Sequence, residues 1–94
     1  MMSQIPFQPE KIRKEEIDKE ILRTGIVAEL DAINLYEQMA ALTKNEAIRK
    51  TLLDIAREEK THVGEFQALL LKEDREQAEE LLKGDREVRE KTGG

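Results

Sequence analysis

Two stretches of this chain place apolar side chains at alternating steps of four and three residues, a spacing that buries one seam along each of two helices. The first seam runs Leu22, Ile26, Glu29, Ile33, Tyr36, Ala40, and the second Ile48, Leu52, Ile55, Glu59, His62, Phe66, Leu69. A parallel row, Gly25, Ala28, Ala32, Leu35, Met39 and Leu42, widens the apolar face of the first helix beyond what one neighbour covers. Between the two stretches lies Thr43-Lys44-Asn45-Glu46. Thr43 with Glu46 fits a capping box, and Asn45 is a competing cap. The spacing predicts helices over residues 11–42 and 45–72, folded back as an antiparallel hairpin about Lys44, with Gly25 the one weak point of the first.

Both prolines, Pro6 and Pro9, precede residue 10, so residues 1–10 are expected to form an irregular arm. Asp74 with Gln77 predicts the cap of a short third helix over 75–83, carrying Ala78, Leu81 and Leu82 and stopping at Gly84. Residues 11–84 thus form one helical domain. Residues 85–94 are mostly charged and end in two glycines, so a frayed, flexible tail is expected there.

Composition removes several function classes. The net charge is −5 and the aromatics number three, Phe7, Tyr36 and Phe66, which speaks against a nucleic-acid partner. The absence of cysteine excludes thiol catalysis and iron–sulfur ligation by this chain. A single histidine cannot build a three-histidine zinc site within one chain. No apolar run reaches the roughly 18 residues of a membrane span, and the opening residues lack the pattern of a signal peptide. The expected setting is cytoplasmic, with no membrane partner. A chain this short is marginal as a lone fold, so association with itself is expected.

The seams are broken three times, at Glu29, Glu59 and His62. Glu29 stands fifteen residues before Lys44 and Glu59 fifteen after it, so both lie about 22 Å from the turn. Glu59 and His62, spaced i, i+3, share a helix face. The three interruptions therefore meet in one layer of an otherwise apolar seam. Carboxylates there need a compensating charge. No Lys or Arg occupies either seam at that level, and a metal cation is the simplest compensation. Di-iron carboxylate bundles use a Glu from each of two helices and a Glu-x-x-His from each of the other two. This chain supplies one of each, half a site. Two chains about a two-fold axis supply four Glu and two His.

The plainer reading makes Glu58-Glu59-Lys60 a solvated face and His62 a core histidine. Placement on the seam, with Glu29 at matching height, favours metal. By pattern, Tyr36 is a core tyrosine with a bonded hydroxyl near the site, and Asp31 an exposed helix residue.

The segment Ala28-Glu29-Leu30-Asp31-Ala32-Ile33-Asn34-Leu35-Tyr36, followed by Arg57-Glu58-Glu59-Lys60-Thr61-His62, resembles the encapsulated ferritins. These are ferritin-like proteins with two main helices, held inside encapsulin nanocompartments. The resemblance spans residues 15–85. It implies an all-α fold that dimerises into a ferritin-like four-helix bundle. It implies a di-iron ferroxidase centre shared between two chains, with Glu29, Glu59 and His62 as metal ligands and catalytic residues. It matches Asp31 to one carboxylate of an acidic iron-entry site, where Ala28 replaces another, and Tyr36 to the family tyrosine. It further implies rings of dimers joined with help from the third helix. Free-standing members end in an apolar peptide that docks on the encapsulin shell. This chain ends Lys91-Thr92-Gly93-Gly94, which suits relatives whose ferritin-like segment is fused to the shell protein.

The function expected is therefore oxidation of Fe(II) by O2, feeding iron storage in an encapsulin compartment. Two rivals remain: a rubrerythrin-like peroxidase, disfavoured without cysteines for a rubredoxin donor, and a metal-free helical dimerisation module.

Overall fold

A computed structural model of the protein describes residues 8–11 and 13–94, and all regular structure among them is helical. Two 3₁₀ turns, Pro9–Lys11 and Lys14–Glu16, lead into α1, Ile17–Leu42. Helix α2 follows over Glu46–Glu73 and α3 over Arg75–Thr92. Helices α1 and α2 form the antiparallel hairpin. None of the helices is long and apolar enough to cross a membrane.

The elements depart from the sequence reading at their ends, each time for a local reason. The first α-helix begins at Ile17, not near residue 11: residues 13–16 are all charged and offer nothing to bury against the hairpin, and Arg13 is extended. The part of the expected arm in residues 1–7 lies outside the described residues. Asn45, not Thr43, caps α2, its side chain accepting from the Ile48 N–H at 3.1 Å. Thr43 Oγ1 accepts from the Asn45 N–H at 3.1 Å, which fixes the turn instead of the helix end.

The largest correction concerns the C-terminal segment. Helix α3 continues through Gly84 to Thr92, so residues 85–92 are helical and not a frayed tail. Gly84 does not take the left-handed conformation that ends a helix; Gly93 does, with φ 80°. The Gly93 and Gly94 N–H groups both donate to the Arg89 carbonyl, at 2.9 and 3.0 Å, closing the last turn. Within the extension, Asp85 and Arg89 pair at 3.0 Å across i, i+4, and one glycine costs a helix only about 1 kcal/mol. The start of α3 is as expected: Asp74 caps it, accepting from the Gln77 N–H at 3.0 Å.

The core is thin. Among the described residues, only Ile33, Ala40, Ala56 and Leu70 are buried apolar residues, and no large side chain is fully enclosed. Ala56 and Leu70 stand one position past the seam residues Ile55 and Leu69. One position is about 100° around the helix, so the α2 seam lies along one edge of the hairpin contact and not at its centre. Accordingly Ile48 and Leu69 at its ends are 49% and 52% exposed. Of the α1 row expected to widen the apolar face, Gly25, Ala28, Ala32, Leu35 and Met39 are partly buried, and Leu42 at its end is 81% exposed. The radius of gyration is 16.6 Å, against about 12 Å for a compact domain of this length. Gly25 does have a packing reason: a Cβ there would sit 3.2 Å from three atoms of the Phe66 ring. The two helices touch backbone to ring at that level.

A candidate metal centre on the open hairpin face

Just over three turns of α1 carry Glu29 from the helix start to mid-hairpin, and the fold-back brings Glu59 and His62 of α2 to the same height. The equal sequence distances from the turn become real contacts. His62 Nδ1 lies 3.3 Å from Glu29 Oε2 and 3.3 Å from Glu59 Oε2. One ligand atom from each residue lies within 4.8 Å of the others. Metal–ligand bonds of about 2.0–2.2 Å leave ligand atoms roughly 3–4 Å apart, so small side-chain movements let all three grip one ion. Two carboxylate oxygens and one imidazole nitrogen suit a divalent transition metal. The donor set fits iron.

Electrostatics make the same point. One imidazole N–H satisfies only one of the two carboxylates at a time. The cations nearest in sequence are committed elsewhere: Lys60 pairs with Glu37 across the hairpin at 2.9 Å, and Arg57 pairs with Asp54. The Glu29 and Glu59 side chains are 20% and 19% exposed, and His62 is 44% exposed. The three therefore sit at the rim of the hairpin, on the face its thin core leaves uncovered.

Asp31 and Tyr36 do not join this cluster. Asp31 is two residues on from Glu29, about 200° around α1, and partly buried. Tyr36 is two turns along α1 from Glu29 and partly buried. Two contacts escaped the sequence reading. Arg23 of α1 reaches Asp74 at 2.6 Å, fastening the root of α3 to the hairpin. Lys60–Glu37 ties α1 to α2 beside the site. Neither residue pair carries a spacing signal, since the partners sit on different helices far apart in sequence.

With this geometry in place, comparison with known proteins is direct. The rubrerythrin family model matches residues 20–93. A crystal structure of the encapsulated ferritin domain from Pyrococcus furiosus superposes with a TM-score of 0.85 at 55% identity, covering 100% of this chain and 98% of that one. The chain belongs to the encapsulated ferritin family. Among full-length proteins, a ferritin-like-encapsulin shell fusion protein of Pyrococcus furiosus is 65% identical over 80 residues, 85% of this chain but 23% of that protein. The encapsulin nanocompartment cargo protein EncC of Myxococcus xanthus is 40% identical over 70 residues, 74% of this chain and 53% of that protein. This encapsulated ferritin thus spans about a quarter and about half the length of those two relatives. The match over residues 20–93 includes the whole of α3, in accord with its helical extension beyond Gly84.

Proposed function

We propose that the protein is a ferroxidase, oxidising Fe(II) to Fe(III) with O2 at a di-iron site shared between two copies of the chain, and that the product feeds iron storage in an encapsulin compartment. The observation that carries this reading is the convergence of Glu29, Glu59 and His62, with ligand atoms within 4.8 Å, on a face left open to a second chain. Fe(II) is the substrate, and each ion gives one electron to O2. A two-fold pairing of open faces supplies four carboxylates and two imidazoles. The four negative charges balance two Fe(II) ions, which favours loading. Two Fe(II) ions give O2 two electrons, which with two protons makes hydrogen peroxide; the Fe(III) charge that the four carboxylates leave unbalanced is met by hydroxide from water, so the product leaves as a hydrolysed species. Glu29 and Glu59 supply the charge, and His62 supplies a neutral nitrogen donor that fixes the position of the ion. Asp31 is proposed as an entry-site carboxylate and Tyr36 as a neighbour of the centre.

The names of the two relatives support an encapsulin shell as partner, and a location inside that shell. The rubrerythrin match supports one rival, a peroxidase that uses hydrogen peroxide as oxidant, although this chain has no cysteine to hold a rubredoxin donor of its own.

The test is elemental analysis of purified protein together with iron oxidation rates in air and with added peroxide. About two metal ions per dimer and a fast aerobic rate are expected. His62→Ala and Glu29→Ala should each lower that rate at least tenfold. Parent-like rates in both variants exclude the site, and fast turnover with peroxide alone selects the peroxidase. Native mass spectrometry adds an independent arm: a metal that bridges chains stabilises the dimer by mass action, so Fe(II) should shift monomer towards dimer unless assembly is already complete.

A further inference from the structure

The layer of Glu29, Glu59 and His62 lies where the hairpin is least packed. Along α2 no residue from 57 to 69 is buried, a run of thirteen between Ala56 and Leu70. At about 1.5 Å per residue that is roughly 20 Å of helix. Glu59 and His62 both fall inside it. On α1 the nearest buried residue to Glu29 is Ile33, one turn towards Thr43. In the other direction, buried packing resumes only at Leu70, two turns beyond His62.

One close approach falls within that run. A Cβ on Gly25 would stand 3.2 Å from Cδ2, Cε1 and Cε2 of Phe66, nearer than the roughly 3.5–4.0 Å of ordinary carbon contact. Glycine weakens the middle of a helix, but here it lets the α1 backbone lie against the ring. Phe66 and the small α1 residues Thr24, Gly25 and Ala28 line one hollow together with Ile21.

This contact repeats the register of the donors. Gly25 is four residues before Glu29, and Phe66 four after His62. In an antiparallel pair both steps run towards the same end, so Gly25 meets Phe66 one turn from where Glu29 meets His62. His62 Nδ1 and Glu29 Oε2 are 3.3 Å apart. Two helices cannot part at one layer and stay together at the next, about 6 Å away. A Cβ at position 25 needs a shift of roughly 0.3–0.8 Å to reach ordinary contact. A metal constellation needs its donors held to about 0.5 Å.

We propose that Gly25 and Phe66 are positioning residues for the metal centre: their contact is the spacer that sets the α1–α2 separation at the donor layer and keeps Glu29 and His62 within reach of one ion. Neither residue supplies a donor atom. The spacer rests on the metal reading of Glu29, Glu59 and His62, and not on ferroxidase activity.

The test measures Co(II) binding by the full chain as parent, His62→Ala, Gly25→Ala, Phe66→Leu, and Gly25→Ala combined with Phe66→Leu. Visible absorption of the bound ion reports its coordination geometry. The paramagnetic ion also displaces the imidazole NMR signals of His62, the chain's one histidine, which ties binding to this site. Circular dichroism reads helix content. Native mass spectrometry reads Co(II) on each oligomer, so binding is compared between species of one size. Gly25→Ala should weaken Co(II) binding about tenfold, the low end of the loss when the contacts supporting a metal site are disturbed, and should change the absorption. Phe66→Leu makes room for the Cβ, so the combined variant should recover most of the affinity although it truncates another side chain. General loss of packing predicts the opposite, a combined variant worse than either single one. If Gly25→Ala does not fold, Phe66→Trp takes its place, because it enlarges the ring side of the same contact and should weaken binding similarly. Parent-like affinity and absorption in folded Gly25→Ala, or a combined variant that binds no better than Gly25→Ala, overturns the spacer. A parent that binds Co(II) no better than His62→Ala overturns the metal reading, and the spacer with it. Co(II) binding that follows the spacer in a protein that does not oxidise iron overturns the ferroxidase reading alone.

Discussion

At the scale of single residues, the proposed metal face sets function against stability. Glu29 and Glu59 share one histidine and meet their symmetry copies if two chains pair there, so without a cation the like charges repel. Glu59→Gln keeps size and hydrogen-bonding capacity while removing one charge per chain. It should lower the aerobic iron oxidation rate at least tenfold and raise the melting temperature of the metal-free protein. Calorimetry on chelator-treated samples checks the second part, and a lower melting temperature would mean that the carboxylate holds the fold together instead. Gly25 poses a different contest. Alanine gains about 1 kcal/mol in helix propensity, but its Cβ would press on the Phe66 ring at 3.2 Å, and overpacking costs about 1–3 kcal/mol. Gly25→Ala is expected to destabilise the parent and to stabilise a Phe66→Leu background. Denaturant titration of the four proteins gives the sign in each.

At the scale of elements, α3 is the helix most sensitive to one ionisation. The Gln77 N–H and then the Arg23 guanidinium hold the Asp74 carboxyl below its ordinary value, against the opposing effect of burial, with Lys19 of α1 adding to the lowering. A carboxyl lowered in the folded state contributes stability that is fully present above its unfolded value, about 3.9. That contribution is lost as pH falls through the lower, folded value. The difference in α3 amide hydrogen exchange between parent and Asp74→Asn should therefore stay constant above about pH 5 and shrink below about pH 3.9. A difference that persists unchanged to pH 2 would assign the effect of the substitution to shape, not charge. The joint between α2 and α3 shows what the sequence could and could not reveal. The Asp74 cap was legible because Gln77 lies three residues on, and the hairpin because two seams flank one turn. The convergence at Glu29, Glu59 and His62 was legible because polar residues interrupt an apolar period at equal distances from Lys44. The extent of α3 was not. A charged run ending in glycines reads as a frayed tail, and its helical hold comes from i, i+4 pairing and the Gly93 cap, signals too weak to outweigh Gly84. Arg23–Asp74 was invisible for another reason: fifty-one residues separate the partners, and no periodicity links them.

At the scale of the whole molecule, shape decides what the chain can do with its product. The single chain is a flat body of 46 × 44 × 19 Å. Its hairpin helices are about 40 Å long, from 26 and 28 residues. A mineral store needs a closed shell with an interior many times larger than the oxidised ions it accepts. Under the proposed pairing, two such hairpins would fill the space between them with the Glu29, Glu59 and His62 face, and α3 is an arm, not a wall. Rings of these pairs would enclose little. The protein should therefore oxidise iron quickly and fail to keep it. Aerobic loading with a large excess of Fe(II) over sites should give fast loss of Fe(II), then turbidity, with only a few irons per chain left in the soluble fraction after sedimentation. Co-expression with an encapsulin shell should keep the same load in solution, because the container then comes from a second protein. Retention of hundreds of irons per soluble oligomer by the protein alone would reverse the argument, and would require a closed cage that neither the flat hairpin nor the projecting α3 suggests.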